Sequence, residues 1–153
     1  MRIFRLTNSK YKDDLSGYGS YLFGGRWNSK QVYALYATEH ISLAVLEIVV
    51  NYDRVASPLK PSFHLLELEL PSEEDSIAVI QGKNLKKDWQ KDIGYTQFIG
   101  DQFLNQGSHF IMKMPSAVIP EEYNFLLNPA HPEFKLLKMI AQRKYGFDQR
   151  LFG

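Results

Sequence analysis

Three residues in the first third of the chain have the types needed for one charge-handling site. Arg26 follows Gly24-Gly25, and a glycine pair lets the backbone come close to another group. The guanidinium offers a planar fork of donors suited to phosphate or carboxylate. Tyr36 lies inside the apolar stretch Val32-Tyr33-Ala34-Leu35-Tyr36-Ala37. Glu47 is a lone acid inside Leu43-Ala44-Val45-Leu46-Glu47-Ile48-Val49-Val50, where a carboxylate is costly unless something compensates it. Loop arginine, strand tyrosine and helix glutamate together read as a site for an anionic substrate. Each also has a plainer reading: an exposed loop charge, strand core and an ion-paired structural acid.

Ser116 stands after Pro115. It is either a turn hydroxyl or one that bonds a ligand or Glu47. Nothing local supplies the base that a nucleophilic serine needs. The phosphate-loop pattern GxxxxGK[ST], the dinucleotide fingerprint GxGxxG and the hydrolase and metalloprotease patterns GxSxG and HExxH are absent,. His40, His64, His109 and His131 lack paired ligand spacing, so no metal site is expected.

The 153 residues fit one domain with a sizeable core,. Hydrophobic residues make up 44% and charged residues 23%, as in ordinary globular proteins. A formal net charge of +1 gives no global field toward nucleic acid or membrane,. Lys83, Lys86, Lys87 and Lys91 read as solvated helix surface,. Cysteine is absent, which excludes disulfides and suits a reducing cytoplasm. The N-terminal residues lack the apolar region of a signal peptide, and no apolar run approaches a membrane span,.

The elements that must position the candidates follow from periodicity. Ile3–Leu6 reads as a first strand, with Arg5 pointing opposite to Phe4 and Leu6. Residues 8–31 form a long Gly-rich loop of the kind that is usually functional or mobile. A buried strand spans 32–37. Thr38 is expected to cap a helix reaching about Asn51, with Glu39 in its first turn and Leu43, Leu46, Glu47 and Val50 on its core side. Pro58 and Pro61 mark a turn. Phe63–Leu70 alternates as a strand, Pro71–Asp75 is a polar turn and Ile77–Ile80 a short strand. Asn84 is expected to cap a short helix carrying Leu85 and Trp89. A helix over Thr96–Asn105, with Phe98, Ile99, Phe103 and Leu104 as its apolar side, closes at Gly107. His109–Met114 is a strand, and Pro115–Pro120 is expected to be extended. Phe134–Arg143 suits either a helix or a strand. Strands and helices do not alternate regularly, which favours an α+β fold.

Arg5, Gly25-Arg26-Trp27-Asn28, Tyr36, Leu43–Glu47, Gly100-Asp101, Pro115-Ser116, Asn124, Asn128-Pro129-Ala130-His131 and Asp148–Leu151 together resemble the RES domain. That family is named for an arginine, a glutamate and a serine, matched here by Arg26, Glu47 and Ser116. The resemblance runs from Arg5 to Leu151, so one RES domain over 1–153 is expected. Departures fall at Lys30-Gln31, where a glycine often follows, and at Phe103, Met114 and Gln149. None touches Arg26, Tyr36, Glu47 or Ser116.

The resemblance implies an α+β, ADP-ribosyltransferase-like fold: a split mixed β-sheet with flanking short helices around an NAD cleft, with Phe134–Arg143 as strand. It implies a toxin of a toxin–antitoxin pair that uses NAD as substrate, without a metal. Such a toxin cleaves the nicotinamide–ribose bond by hydrolysis or phosphorolysis, or transfers ADP-ribose to a protein. A non-catalytic module binding NAD or the antitoxin is the alternative outside enzymology. The implied partner is an antitoxin with a Xre-like helix-turn-helix domain that covers the active site. A homodimer within that complex is also implied, with no direct nucleic-acid or membrane contact. On this reading Glu47 stabilises the ribosyl cation, and Arg26, helped by Arg5, grips the pyrophosphate or an adjacent ribose oxygen. Tyr36 shapes the nicotinamide slot and Ser116 orients Glu47 or a ribose hydroxyl. Asn28, Asn124 and Asn128 fix loops behind them.

Overall fold

Apolar residues on both sides of the chain, Ile3 on one and Phe4 and Leu6 on the other, form a strand, β1 (Arg2–Asn8), in the computed structural model, which describes residues 1–52, 61–70 and 74–152. The expected turn at Pro58 and the Pro71–Glu73 part of the expected polar turn lie outside the described residues. Next come α1 (Tyr18–Phe23), β2 (Leu35–Thr38), α2 (Ile41–Asn51), β3 (Phe63–Glu69), β4 (Ile77–Val79), α3 (Ile93–Gln106), β5 (Ile111–Pro115), β6 (Tyr123–Leu127) and β7 (Lys138–Tyr145). The strands form one mixed sheet in the order β4-β5-β6-β2-β1-β3-β7. Among the described residues only the β4–β5 pair is parallel.

The sheet divides at its middle. β1 and β2 share a single register pair, Phe4↔Thr38, whereas β1 follows β3 along its whole length. This is the split mixed sheet with few helices that the resemblance to the RES domain implies. One sheet face carries a continuous core across the split, with Ile3, Leu35, Leu66, Leu68, Phe110 and Phe125 packed together. The other face carries two separate cores. Trp27, Phe103, Met112, Met114 and Leu126 pack beside α3, and Leu6, Ala44, Val45 and Leu65 pack beside α2. Period-two alternation explains how one strand serves both: Phe125 and Leu127 of β6 face the continuous core, while Leu126 faces α3,.

Several local expectations are corrected. Thr38 is not a helix cap; it ends β2, pairs with Asn124 and donates to the carbonyls of His40 (2.8 Å) and Phe4 (3.4 Å). The helix starts at Ile41 instead, so Glu39 lies outside its first turn. α3 starts at Ile93 instead of Thr96, capped by Asp92, which accepts from the Tyr95 N–H at 3.0 Å, and Gly107 closes it in the left-handed conformation. Val50 and Phe98 sit on exposed helix surface, not in a core. Residues 82–91 form two 3-10 turns instead of a helix, and Asn84 ends the first of them. Pro115 ends β5, and the segment after it turns back to β6 instead of extending. The ambiguous stretch is both things in part: a 3-10 turn over Pro132–Leu136, then β7.

Candidate active site

Between the two cores on the divided face lies a cleft of about 620 Å³, a size typical of small-molecule and cofactor sites. Its floor is the split itself, with Phe4, Arg5, Tyr36 and Thr38. Gly25 and Arg26 stand on one wall, and Glu47 and Asn124 on the other. Exposed apolar side chains ring the mouth: Phe23 is 75% exposed, Val50 57% and Ile93 51%.

The arginine wall is a tight turn closed by a Gly25–Asn28 bridge, with the Gly25 N–H donating to the Asn28 carbonyl at 2.9 Å. Trp27 is buried against Trp89. Asn28, fully buried, donates from Nδ2 to the carbonyls of Ser20, Ser29 and Val32. The Tyr36 hydroxyl donates to Asn28 Oδ1 at 2.6 Å and accepts from the Trp27 N–H at 2.9 Å. Burial pushes this phenol well above its ordinary pKa, so it remains a donor. α3 clasps the turn from outside. Thr96 donates to the Arg26 carbonyl at 2.6 Å, and Gln97 to the Gly25 carbonyl at 2.9 Å. Asp101 holds the Ser29 N–H and hydroxyl. These contacts present the half-buried Arg26 guanidinium to the cleft, with Nη1 donating to the Gln90 carbonyl at 2.9 Å.

The glutamate wall works through side chains. Glu47 projects from α2 toward β6. Its Oε1 accepts from the Ser116 hydroxyl at 2.8 Å and from Asn124 Nδ2 at 2.7 Å. Among the described residues no hydrogen bond reaches Oε2. Ser116 is fully buried and its oxygen accepts from the Val118 and Ile119 N–H groups at 3.0 and 3.2 Å. The hydroxyl proton is therefore aimed at Glu47, and the serine is a fixture with no free lone pair for attack.

Arg5 leaves β1 on the side opposite Phe4 and Leu6, in register with Leu66,. Its Nη1 donates to the Tyr36 carbonyl at 2.9 Å, bridging the two half-sheets where strand pairing fails. Desolvation lowers its pKa from the usual arginine value. Arg5 Nε and Asn124 Oδ1 are the buried side-chain polar atoms without a partner among the described residues, and both residues line the cleft. Native proteins satisfy nearly all such atoms. Asn124, on the cleft face of β6, thus holds an unmet acceptor beside Glu47, whereas the Arg5 side chain leaves on the face of Ile3 and Leu66 and feels the charge of Asp14.

The structure brings Arg5, Arg26, Tyr36, Glu47 and Asn124 to one cleft, with Ser116 behind Glu47 and Asn28 behind Tyr36. Asn128 lies away from it. That residue ties the end of β6 to α3 through the Leu104 carbonyl and accepts from the Ala130 N–H. Asn124 is more than a loop fixer, since it lies within β6 and touches Glu47 directly. Phe4, Ile93 and Gln97 line the cleft without having been singled out by sequence. Ile93 and Gln97 are four residues apart and so share one helix face, but Ile93 precedes the helix start expected at Thr96. No group of three metal-ligating side chains occurs among the described residues, and no described helix is long and apolar enough to cross a membrane.

The fold matches the crystal structure of the M. tuberculosis MbcT–MbcA toxin–antitoxin complex with a TM-score of 0.74, over 94% of this chain and 83% of that one. At 17% identity that likeness speaks to the fold alone. The RES domain model matches residues 2–148, and the chain belongs to the RES domain family. It is 37% identical over 142 residues to the Prs ADP-ribosylating toxin of Sphingobium sp. (strain YBL2), covering 91% of this chain and 87% of that protein. It is 34% identical over 155 residues to Toxin Res of Photorhabdus laumondii subsp. laumondii, covering 99% and 97%.

Proposed function

We propose that this chain is a RES-family toxin that degrades NAD by breaking its nicotinamide–ribose bond. The observation that carries this reading is the Glu47 carboxylate, pinned at Oε1 by Ser116 and Asn124 with Oε2 left to the cleft. Departure of nicotinamide takes the bonding electron pair onto the ring nitrogen and leaves positive charge on the ribose, as in glycoside cleavage. A preorganised carboxylate stabilises that charge and holds a ribose hydroxyl at no cost in reorganisation. Nicotinamide leaves neutral, so no general acid is required. Water or phosphate then bonds to the ribosyl carbon, and an attacking water passes its proton to the solvent.

Arg26 is suited to the pyrophosphate, since bidentate, charge-assisted bonds are the strong ones. Arg5 lines the same cleft, and the unpaired Asn124 Oδ1 fits a ligand rich in hydroxyls, which a dinucleotide is. The Tyr36 ring forms part of the floor for nicotinamide. No metal enters this scheme. Activity in the cytoplasm would arrest growth through NAD loss until an antitoxin, of the Xre-like helix-turn-helix kind, covers the cleft. DNA contact then belongs to that partner, and a homodimer within the complex is part of the same reading.

A second reading is favoured by one specific observation: a relative 37% identical carries the name ADP-ribosylating toxin. The exposed apolar rim of Phe23, Val50 and Ile93 would suit a protein acceptor at the same cleft,. Incubation with NAD, with and without phosphate, followed by product identification separates the two. Free ADP-ribose or its 1-phosphate is the expected product. A label that appears only on protein would replace the first reading by the second, and intact NAD would refute both.

A further inference from the structure

Asn124 carries more than its bond to Glu47. Its Nδ2 lies 2.7 Å from a carboxylate oxygen, and reversing the amide would set carbonyl oxygen against carboxylate oxygen,. The orientation is therefore fixed, and Oδ1 is an acceptor. This atom is buried and nothing among the described residues donates to it. The hydroxyls around it are committed elsewhere: Ser116 to Glu47, Thr38 to the carbonyls of His40 and Phe4, and Tyr36 to Asn28. A buried acceptor left unmet costs about 1–3 kcal/mol, a cost that a ligand donor at this point removes.

Sheet register places the atom on the cleft side. Asn124 alternates with Phe125 of the continuous core and shares its face with Leu126,. It pairs with Thr38, which pairs in turn with Phe4 across the split, and all three line the cleft. One amide bonded to Glu47 Oε1 necessarily keeps its own oxygen beside that carboxylate. The cleft therefore offers two neighbouring acceptors, Glu47 Oε2 and Asn124 Oδ1. Two adjacent acceptors match two adjacent donors, and the vicinal cis hydroxyls of a ribose are such a pair.

We infer that Asn124 is a specificity-determining residue whose Oδ1 accepts from one hydroxyl of the nicotinamide-side ribose while Glu47 holds its neighbour. This inference rests on the NAD reading above. It adds that the two hydroxyls are read by different residues, and that loss of one is felt only while Asn124 is present.

The test measures kcat/KM for nicotinamide release from NAD and from analogues lacking either the 2′- or the 3′-hydroxyl of that ribose. Deamido-NAD is included because the carboxamide of nicotinamide is the other nearby donor. Wild type, Asn124→Ala and Ser116→Ala are compared, with folding followed by circular dichroism. Asn124→Ser replaces the alanine variant if that one does not fold. Wild type should discriminate against both deoxy analogues, each by about tenfold or more. In Asn124→Ala one of these penalties should fall to about twofold or less, and the other should persist. Ser116→Ala loosens Glu47 but keeps Oδ1, so both penalties should remain.

Retention of both penalties in Asn124→Ala overturns the inference while leaving NAD cleavage intact. So does an equal collapse in Ser116→Ala, which would mark a general loosening of Glu47. A collapse confined to deamido-NAD also overturns it, by assigning the acceptor to the carboxamide. Failure of wild type to release nicotinamide from NAD removes the reading beneath it as well.

Discussion

The two walls of the cleft are built on different principles. The arginine wall is held by backbone: turn carbonyls and amides tied to Asn28, Tyr36, Thr96 and Gln97, at distances that leave no room for extra atoms. The glutamate wall is held by side chains, with one carboxylate oxygen bonded by Ser116 and Asn124, which are remote in sequence from Glu47 and close only through the sheet. The position of Arg26 is thus a property of the fold, and the orientation of Glu47 a property of two hydrogen bonds. Changes on the first wall should register as stability. Changes on the second should register as activity.

The largest effect belongs to Gly100. A Cβ there would lie 1.7 Å from the Trp27 carbonyl oxygen, and backbone on both sides cannot give way. Gly100→Ala should cost about 4 kcal/mol or more in urea unfolding, the range of severe core defects. A near-neutral result would show that the turn is not locked onto α3. Tyr36→Phe removes both the acceptor for the Trp27 N–H and the donor to Asn28. A loss of about 1–3 kcal/mol follows from leaving those groups unpaired, measurable as a lower urea midpoint.

Ser116→Ala probes the other wall. Nicotinamide release should fall about tenfold, or 1.4 kcal/mol of barrier, while the urea midpoint moves less than in Tyr36→Phe. The reverse pattern would erase the contrast between the walls. The smallest effect is expected at Gln31, which adopts φ of 70° although it is not glycine. Left-handed backbone is unfavourable for residues with a Cβ, so Gln31→Gly should stabilise the protein by about 0.5 kcal/mol without altering NAD turnover.

Gln31 also shows what a sequence can disclose. The resemblance to the RES domain leads one to expect a glycine near Lys30-Gln31, and the left-handed φ of Gln31 is a conformation that glycine adopts without strain,. Glu47 was legible because an acid within an apolar helix must have a purpose or a partner. Arg26 was legible through the glycine pair before it, where a Cβ on Gly25 would meet the Tyr36 hydroxyl at 2.7 Å. The α+β class followed from irregular ordering of strands and helices, and the split mixed sheet from the resemblance to the RES domain. The dual role of Asn124 was not legible, because its partner lies on another element and its unpaired oxygen exists only in three dimensions. Thr38 misled because a capping hydroxyl and a strand-end hydroxyl look alike in sequence, and here it donates to the His40 carbonyl just before the helix. Val50 and Phe98 misled because helical periodicity marks an apolar side without saying whether anything covers it.

The central claim concerns the charge on Glu47. Its most direct test is the rate of nicotinamide release from NAD by wild type and Glu47→Gln, with the melting temperature of each. In Glu47→Gln the rate should fall about 100-fold or more, as for loss of a preorganised electrostatic stabiliser, with an almost unchanged melting temperature. A Glu47→Gln variant that stays folded and releases nicotinamide at the wild-type rate would contradict it.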